Sequence, residues 1–208
     1  YLENSMPNAK GVLQEEELAY TRIPSLDNGL YSLPRVQTKP WDNIIYRQDW
    51  LDNLNLEVPS TPEEFAEVML AFSKNDPDGN GQEDTFGWSY NRAMGPLHRN
   101  LINAFDIRPN SVPDENGNYE LMQAQDGYME FLDWMRNMYE SGALDSEWYL
   151  TKMYEDDDKW AAGQIGAIYS NKITEHMTGA ITNEVKNVDP NAKLVAGPPL
   201  RAAGETVS

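Results

Sequence analysis

The chain has 208 residues, enough for one or two domains with a sizeable buried core. Its formal net charge of -18 excludes nucleic acid and anionic membrane surfaces as general partners, because both are polyanions that would repel it. The absence of cysteine excludes disulfides, thiolate catalysis and cysteine-ligated zinc.

Strands and helices alternate along the chain. Residues 43–46 read as a buried strand, because an apolar run is bounded by polar residues, and a short helix is predicted over residues 48–54. Thr61-Pro62-Glu63-Glu64 is a capping box, with a cap residue, proline at the first helical position and glutamate at the third. The helix that follows is expected to bury one face, formed by Phe65, Val68, Met69 and Phe72.

The second half of the chain continues this alternation. Residues 85–90 and 166–170 are predicted strands, and residues 174–188 form a predicted helix before a last strand at 193–197. Residues 125–139 form a predicted amphipathic helix, and packing in the core is favoured for its apolar stripe over a sugar-binding surface. The stripe consists of Tyr128, Phe131, Leu132, Met135, Met138 and Tyr139. Strands that alternate with helices indicate an α/β fold.

The stretch from Asp76 to Asp84 carries oxygen donors at alternate positions. Calcium takes about six to eight oxygens, and the usual binding loop supplies side chains from positions one, three, five and nine and a carbonyl from position seven. Gly81 falls at position six, where such a loop turns too sharply for a residue with a Cβ atom. The stretch therefore predicts a structural calcium site with the ligands Asp76, Asp78, Asn80, Gln82 and Asp84.

The loop departs from the standard pattern at position twelve, where Gly87 stands in place of a bidentate glutamate. The remaining oxygens must come from Glu83, Thr85, a distant residue or water. The alternative interpretation is a solvated turn rich in aspartate, asparagine and glycine. A weak calcium site works where calcium is millimolar, which indicates a location outside the cytosol.

An enzyme is the main competing class, although no catalytic residues stand out. An acid-rich chain always offers carboxylate pairs for glycoside hydrolysis, but nothing singles out one pair. The two histidines, His98 and His176, stand in neither a Ser/His/Asp spacing nor a metal-ligand spacing. A calcium-dependent adhesion module would need repeats of the loop, which occurs once. The favoured function is non-enzymatic, with a secreted glycoside hydrolase domain or an adhesion module as alternatives.

Six motifs in a fixed order carry a family resemblance. They are Leu30-Tyr31-Ser32-Leu33-Pro34, Ile45-Tyr46-Arg47-Gln48-Asp49-Trp50-Leu51, Val58-Pro59-Ser60-Thr61-Pro62-Glu63-Glu64-Phe65, the loop from Asp76 to Asp84, Ala162-Gly163-Gln164-Ile165-Gly166-Ala167 and Ala192-Lys193-Leu194-Val195-Ala196-Gly197-Pro198-Pro199-Leu200. No motif is specific by itself. Their order and spacing resemble the extracellular solute-binding proteins of bacterial carbohydrate ABC importers, the group that includes maltose-binding and alginate-binding proteins.

The resemblance implies one lobe of a type II periplasmic-binding-protein-like fold, an α/β unit with a central mixed sheet flanked by helices. In this family two lobes close over a sugar, and the chain resembles the second lobe alone. Residues 1–33 would be the lead-in and lobe-crossing segment, residues 34–199 the lobe, and residues 200–208 the return segment toward the missing N-terminal lobe. The calcium ion would be structural, although Thr85 stands where some family members carry an acid.

The resemblance also implies where a ligand binds. In the family, the loops after the strands that contain Tyr46, Trp88 and Tyr169 form the cleft side of this lobe. Aromatic faces stack on sugar rings, and asparagine or arginine donates to hydroxyls, although Trp88 and Tyr169 fit a core role equally well. The candidate ligand residues are Arg47, Trp88, Tyr90, Asn91, Arg92, Tyr169, Ser170 and Asn171.

The implied function is the substrate-binding component of an ABC importer. Its expected partners are a carbohydrate, by default an oligosaccharide, the permease subunits of the transporter and the missing lobe. Its expected location is extracellular, as a membrane-anchored lipoprotein at the cell surface, or periplasmic.

Overall fold

The computed structural model of the chain describes residue 13 and residues 18–19, 21–33, 43–90, 99–110, 113–171 and 173–202. Clustering of backbone contacts separates two compact units, Tyr1–Pro40 and Trp41–Ser208. Within the described ranges, no helix has both the length and the apolar character needed to cross a bilayer.

The first unit contains a small antiparallel hairpin. Strand β1 (Arg22–Ile23) pairs with strand β2 (Gly29–Leu30). Between them, Asp27 and Asn28 have φ values of 59° and 53°. Aspartate and asparagine tolerate this left-handed region better than other non-glycine residues, so the turn is consistent with its local sequence.

The second unit is built on a mixed four-stranded sheet with the strand order β4-β5-β3-β6. Strand β4 runs parallel to β5, whereas β3 runs antiparallel to both of its neighbours, so β6 has the same direction as β4 and β5. The mixed sheet of the predicted α/β fold is thereby confirmed. The strands are β3 (Asn43–Arg47), β4 (Phe86–Trp88), β5 (Ile165–Ser170) and β6 (Leu194–Ala196).

Helices connect and flank these strands. In the described part of the second unit, short 3-10 helices lie at Asn103–Phe105, Met122–Ala124 and Trp148–Leu150. The α-helices there are α1 (Gln48–Leu54), α2 (Pro62–Lys74), α3 (Arg99–Ile102), α4 (Gly127–Ser141), α5 (Glu155–Ala161), α6 (Ile173–Met177) and α7 (Ala180–Val188).

Helix α2 begins at the predicted cap. The Thr61 hydroxyl accepts a hydrogen bond from the backbone N–H of Glu64 at 3.2 Å, and Pro62 is the first helical residue. The Glu64 carboxylate accepts from the backbone N–H and the hydroxyl of Ser60, at 2.8 and 2.9 Å. The capping box is confirmed, with the glutamate reaching one residue further back than the usual pattern.

Two glycines allow α2 to pack closely on the sheet. A Cβ atom on Gly87 of β4 would lie 2.2 Å from the carbonyl oxygen of Met69, and one on Gly166 of β5 would lie 2.1 Å from the Phe72 ring. Both distances are shorter than any tolerable contact. The absence of side chains at these two positions therefore sets the spacing between helix and sheet.

The apolar stripe of α4 divides into two parts. Phe131 and Met138 are fully buried against the core, as predicted. Leu132 and Tyr139, on the neighbouring side of the same stripe, are 41% and 44% exposed. Packing thus accounts for only part of the stripe, and its other part faces an open surface.

Candidate functional site

Three parallel strands end at the same end of the sheet, which we call the carboxyl end. Trp88, Ser170 and Ala196 are their last residues. Leu144 extends this end, because it pairs in parallel with Trp88 as an isolated bridge. Ligands of open α/β sheets bind in the crevice beyond the carboxyl ends of the strands. The segments that follow these residues therefore form the candidate binding surface.

Most of the predicted ligand residues lie at the carboxyl end, but few are accessible. Trp88 and Ser170 are both 0% exposed and Tyr90 is 1% exposed, so these side chains belong to the core. Tyr169 is half-buried, and Asn171 is exposed. Among the described candidates, Asn171 thus offers the most open side chain to a ligand. Two further candidates lie outside the described residues: Asn91 and Arg92.

Arg47 does not join this group. It pairs with Leu194, the first residue of β6, and therefore lies at the opposite end of the sheet. Its guanidinium donates to the Asp49 carboxylate at 2.9 and 2.6 Å and also to Asp189, and it lies 4.8 Å from the Trp50 ring centroid. The antiparallel direction of β3 separates Arg47 from the other candidates, and its ion pairs give it a structural role.

A serine at the end of β5, a histidine in α6 and an aspartate in α5 contact one another. The Ser170 hydroxyl lies 2.8 Å from His176 Nδ1, and His176 Nε2 lies 3.0 Å from the Asp157 carboxylate. In serine hydrolases the nucleophile contacts Nε2 instead, and it must be accessible. Here Ser170 is 0% exposed and His176 is 2% exposed. The arrangement fits a buried brace that joins β5 to α6 and α5.

A second polar network fixes the segment after Leu144. Asp145 is 2% exposed, and its carboxylate accepts from the Ser89 hydroxyl at 2.8 Å and from the Lys159 ammonium group. Its other oxygen accepts from the backbone N–H of Glu147 at 2.9 Å. Because a buried charge needs such partners, this network holds the segment that carries the next aromatic residues in one position.

Aromatic rings form a row from the core toward the surface. The ring centroids of Trp88 and Tyr90 are 4.9 Å apart, and those of Tyr90 and Trp148 are 4.6 Å apart. Tyr149 stands nearly perpendicular to Trp148, at 88° and 6.1 Å. The outer rings border a cavity of about 390 Å³, the aromatic pocket, lined by Tyr90, Leu132, Met135, Arg136, Tyr139, Leu144, Trp148 and Tyr149.

The row contains polar atoms without partners. The Trp88 indole nitrogen and the Tyr90 hydroxyl are buried and have no hydrogen-bond partner within the described part of the chain. Burial also raises the pKa of the Tyr90 hydroxyl, which therefore keeps its proton and its capacity to donate. A buried, unpaired hydroxyl costs roughly 1–3 kcal/mol, so a ligand that pairs with Tyr90 would recover part of that cost.

The loop from Asp76 to Asp84 folds as a tight turn around one carboxylate. The two carboxylate oxygens of Asp76 accept from the backbone N–H groups of Asn80 and Gly81, both at 3.0 Å. Gly81 has a φ of 80°, and Gly79 has a φ of 69°. The left-handed glycine predicted at position six is confirmed.

Carboxylates crowd together in this loop. The Asn80 amide nitrogen donates to Asp78 at 3.0 Å and to Asp84 at 3.2 Å. Burial, together with the nearby Asp76 and Asp84 carboxylates, raises the pKa of Asp78. Among the residues that the structure describes, no three acidic or histidine side chains have the geometry of a formed metal site. The oxygen donors fit calcium chemically, but amide hydrogens of Asn80 face the carboxylates.

The structure also distinguishes between Glu83 and Thr85, the two side chains expected to supply further oxygens to a calcium ion. Thr85 is 6% exposed, and its hydroxyl donates to the Phe72 carbonyl at 2.7 Å, so it does not face a cation in the loop. Glu83 is exposed. Of the two side chains expected to supplement the loop, Glu83 is therefore the better placed.

Three curated relatives match most of the chain, although no family model matches it. Polygalacturonan/rhamnogalacturonan-binding protein YtcQ of Bacillus subtilis (strain 168) is 26% identical over 149 residues, which are 72% of this chain and 30% of YtcQ. Lipoprotein LipO of the same strain is 29% identical over 147 residues, 69% of this chain and 29% of LipO. Fructooligosaccharide ABC transporter substrate-binding protein FusA of Streptococcus pneumoniae serotype 4 (strain ATCC BAA-334 / TIGR4) is 29% identical over 163 residues, 70% of this chain and 30% of FusA.

Solved structures show the same fold. FusA in complex with kestose has a TM-score of 0.65 at 24% identity, covering 97% of this chain and 42% of that one. A FusA EF-hand mutant in complex with fructo-nystose has a TM-score of 0.63 at 23% identity, with coverage of 97% and 42%. Alginate-binding protein AlgQ2 without calcium ion has a TM-score of 0.59 at 18% identity, with coverage of 79% and 33%.

The solved structures show that the chain has a periplasmic-binding-protein-like fold, and the neighbours that share this fold include proteins solved with a bound sugar. This chain spans about 30% of the length of the curated relatives that it matches. It is a homologue of the substrate-binding proteins of carbohydrate ABC transporters, and the share it covers fits a single lobe. The predicted family resemblance is confirmed.

Proposed function

We propose that this chain is one lobe of the substrate-binding component of an ABC importer and forms one wall of a cleft that binds an oligosaccharide. The observation that carries the proposal is the match over 70% of the chain to FusA, a fructooligosaccharide ABC transporter substrate-binding protein. The carboxyl end of the sheet supplies the wall, because the segments after Trp88, Leu144 and Ser170 all leave the sheet there.

Transport follows from closure of two lobes. The ligand bridges this lobe to the N-terminal lobe, and hinge closure buries the sugar before the complex meets the permease subunits. The similarity to lipoprotein LipO supports an extracellular location with an anchor at the cell surface. The boundaries proposed for the lead-in, residues 1–33, and the return segment, residues 200–208, remain predictions.

Calcium has a structural role in this proposal, with Asp76, Asp78, Asn80, Gln82 and Asp84 as ligands. The loop precedes Phe86, the first residue of β4, and so lies opposite the carboxyl end where the sugar binds. The EF-hand mutant of FusA among the structural neighbours supports this assignment, because it shows that FusA carries an EF-hand. An ion at this position would stabilise the connection between α2 and β4 without touching the sugar.

Calorimetric titration of the complete protein that contains this chain tests the proposal. The panel comprises kestose, stachyose, maltotriose, laminaribiose and trigalacturonate, which cover the sugars of several neighbours. We expect saturable binding of at least one oligosaccharide at one site per protein, and no cleavage products by mass spectrometry. A folded protein that binds none of them contradicts the proposal, and cleavage favours a glycoside hydrolase.

Asn171 provides a local check of the same cleft. Its exposed side chain follows the end of β5. Asn171→Ala is expected to weaken binding of the sugar that the wild-type protein binds most tightly by about ten-fold, because it removes a hydrogen bond to a sugar hydroxyl. The matched control is Asn183→Ala on α7, an exposed asparagine away from the strand ends. Equal affinities of both variants and the wild type would remove Asn171 from the site.

A further inference from the structure

The aromatic pocket lies directly beside the carboxyl end of the sheet. Tyr90 follows β4 by two residues, and Leu144 pairs with the last residue of β4. Trp148 contacts the Tyr90 ring and extends the pocket outward from this end. The pocket therefore opens where the proposed function places the ligand, and its volume of about 390 Å³ falls within the range of roughly 300–1,000 Å³ for small-molecule sites.

Exposed tyrosine rings border the pocket on two sides. Tyr149 is 49% exposed, and its ring stands perpendicular to Trp148. Across the pocket, Leu132 and Tyr139 lie on α4, which also buries Phe131 and Met138 in the core. Two accessible tyrosine rings on fixed backbones suit the apolar face of a sugar ring, which stacks on aromatic surfaces.

The polar groups of the pocket favour a neutral ligand. The buried Tyr90 hydroxyl, which lacks a partner in the described part of the chain, is a ready donor for a sugar hydroxyl. Arg136 is the charged residue of the lining, and its guanidinium is already paired with Asp133 at 2.9 Å. Because this pair lies in the open, Asp133 offsets the charge of Arg136 at the pocket, and the net charge of -18 disfavours an anionic ring.

We propose that the aromatic pocket is a subsite for one neutral ring of the bound oligosaccharide, stacked between Tyr149 and Tyr139 with a hydroxyl at Tyr90. This inference rests on the proposed function and assigns a specific subsite within it. It also explains why two residues of the α4 stripe are exposed: Leu132 and Tyr139 are covered by sugar when the cleft is loaded.

The test uses the complete protein and the neutral panel sugar that it binds most tightly. Tyr149→Ala and Leu132→Glu are each expected to raise its Kd at least ten-fold, while Tyr149→Trp, which keeps an aromatic face, restores affinity to within about three-fold. Matched controls are Tyr119→Ala and Leu121→Glu, whose side chains are 69% and 64% exposed outside the pocket and should leave the Kd unchanged.

The outcomes separate this inference from the proposed function. If the wild-type protein binds a neutral sugar and both pocket variants bind it equally well, the subsite is wrong and the proposed function stands. If the protein binds only trigalacturonate, the proposal of a subsite for a neutral ring is wrong, but the proposed transporter role stands. If the variants change only oligomeric state or melting temperature, the pocket is a protein contact. A wild-type protein that binds no sugar overturns both.

Discussion

The carboxylates of Asp76 and Asp84 lie close to Asp78. We therefore expect Asp78→Asn to change the melting temperature differently with and without calcium. In EDTA, Asp78→Asn removes a charge that Asp76 and Asp84 repel, so we expect an equal or higher melting temperature. With calcium at ten times its Kd, the wild-type chain gains about 1.4 kcal/mol by mass action, or roughly 3–6 °C, and the variant gains less. Scanning calorimetry in both buffers measures this inversion.

The control for this experiment is Asp114→Asn, which alters an aspartate in an unrelated turn that ends at Asn118. Its response to calcium should equal that of the wild-type chain. A wild-type chain that does not respond to calcium would show that the loop from Asp76 to Asp84 is only a turn. The donor set would then have no metal to explain the crowding at Asp78.

Burial of Asp78, together with the nearby Asp76 and Asp84 carboxylates, also sets the sign of a pH dependence. Because the pKa of Asp78 is raised above its ordinary 3.8, the folded chain holds this proton more tightly than the unfolded chain. In EDTA the contribution of Asp78 to stability therefore falls as the pH rises through that raised pKa. The stability advantage of Asp78→Asn should grow from about pH 4 to about pH 7 in urea titrations, and an advantage that shrinks contradicts this reasoning.

The cap of α2 gives a pH effect of the opposite sign. Hydrogen bonds from the backbone and the hydroxyl of Ser60 hold the pKa of Glu64 below its ordinary 4.5. The contribution of Glu64 is therefore present above pH 4.5 and is lost as the pH falls through the lowered pKa. The cost of Glu64→Gln should shrink as the pH falls from about 7 to about 3.5, which urea titrations at several pH values measure.

Thr61→Ala tests the other half of the cap. Removing the hydroxyl that accepts from Glu64 should lower the free energy of unfolding by about 1 kcal/mol at neutral pH. Urea denaturation measures the loss. A substitution of Thr174, an exposed threonine on α6, by alanine controls for threonine loss on a helix and should cost less.

Local chemistry explains which residues could be predicted from sequence. The cap at Thr61 and the left-handed Gly81 depend on neighbours within about five positions, so their roles were visible in the sequence. The family resemblance implied that Arg47 belongs to the ligand group, in the loop after the strand that contains Tyr46. Its ion pair with Asp189 and its place at the opposite end of the sheet depend on the direction of β3, which no local pattern encodes.

At the scale of elements, helix α4 offers a matched comparison of burial. Met138 is 1% exposed and Met129 is 65% exposed on the same helix. Met138→Ala should cost about 2–5 kcal/mol, since it removes buried contacts and leaves a cavity. Met129→Ala should stay within about 0.5 kcal/mol of the wild type. Similar urea midpoints for the two variants would mean that Met138 does not face the core.

The α4 stripe also shows the limit of periodicity. The spacing of Phe131 and Met138 correctly predicts an inward face, but periodicity gives no information about what covers the rest of the stripe. Leu132 and Tyr139 remain exposed because the neighbouring segment, from Leu144 to Tyr149, leaves a pocket instead of closing over them.

The brace around His176 shows the same limit for polar groups. Ser170, His176 and Asp157 lie in β5, α6 and α5, and only the fold brings them together. The sequence could exclude a catalytic spacing, but it could not reveal the contact. The fold also indicates the role of this contact. Ser170 is buried and contacts Nδ1 of His176 instead of Nε2, which fits a structural support at the end of β5 and not nucleophilic attack.

At the scale of the whole molecule, the sheet separates two functions. The loop proposed to bind calcium precedes β4 at one end, and the aromatic pocket and Asn171 lie at the carboxyl end. The proposed function therefore predicts that the ion and the sugar bind independently of each other. Removing calcium should lower the melting temperature of the complete protein and leave the sugar Kd within about three-fold, provided that the protein stays folded.

The proposed function places only one wall of the cleft on this chain, which predicts how the isolated chain behaves. Closure buries a sugar between two lobes, so a lone lobe loses the contacts of the opposite wall and leaves the ligand partly in water. The 208-residue chain should therefore bind the sugar that the complete protein binds most tightly at least ten-fold more weakly than that protein does. Circular dichroism should show that both are folded. Equal affinity in calorimetric titrations would place the whole binding site on this lobe and remove the need for closure.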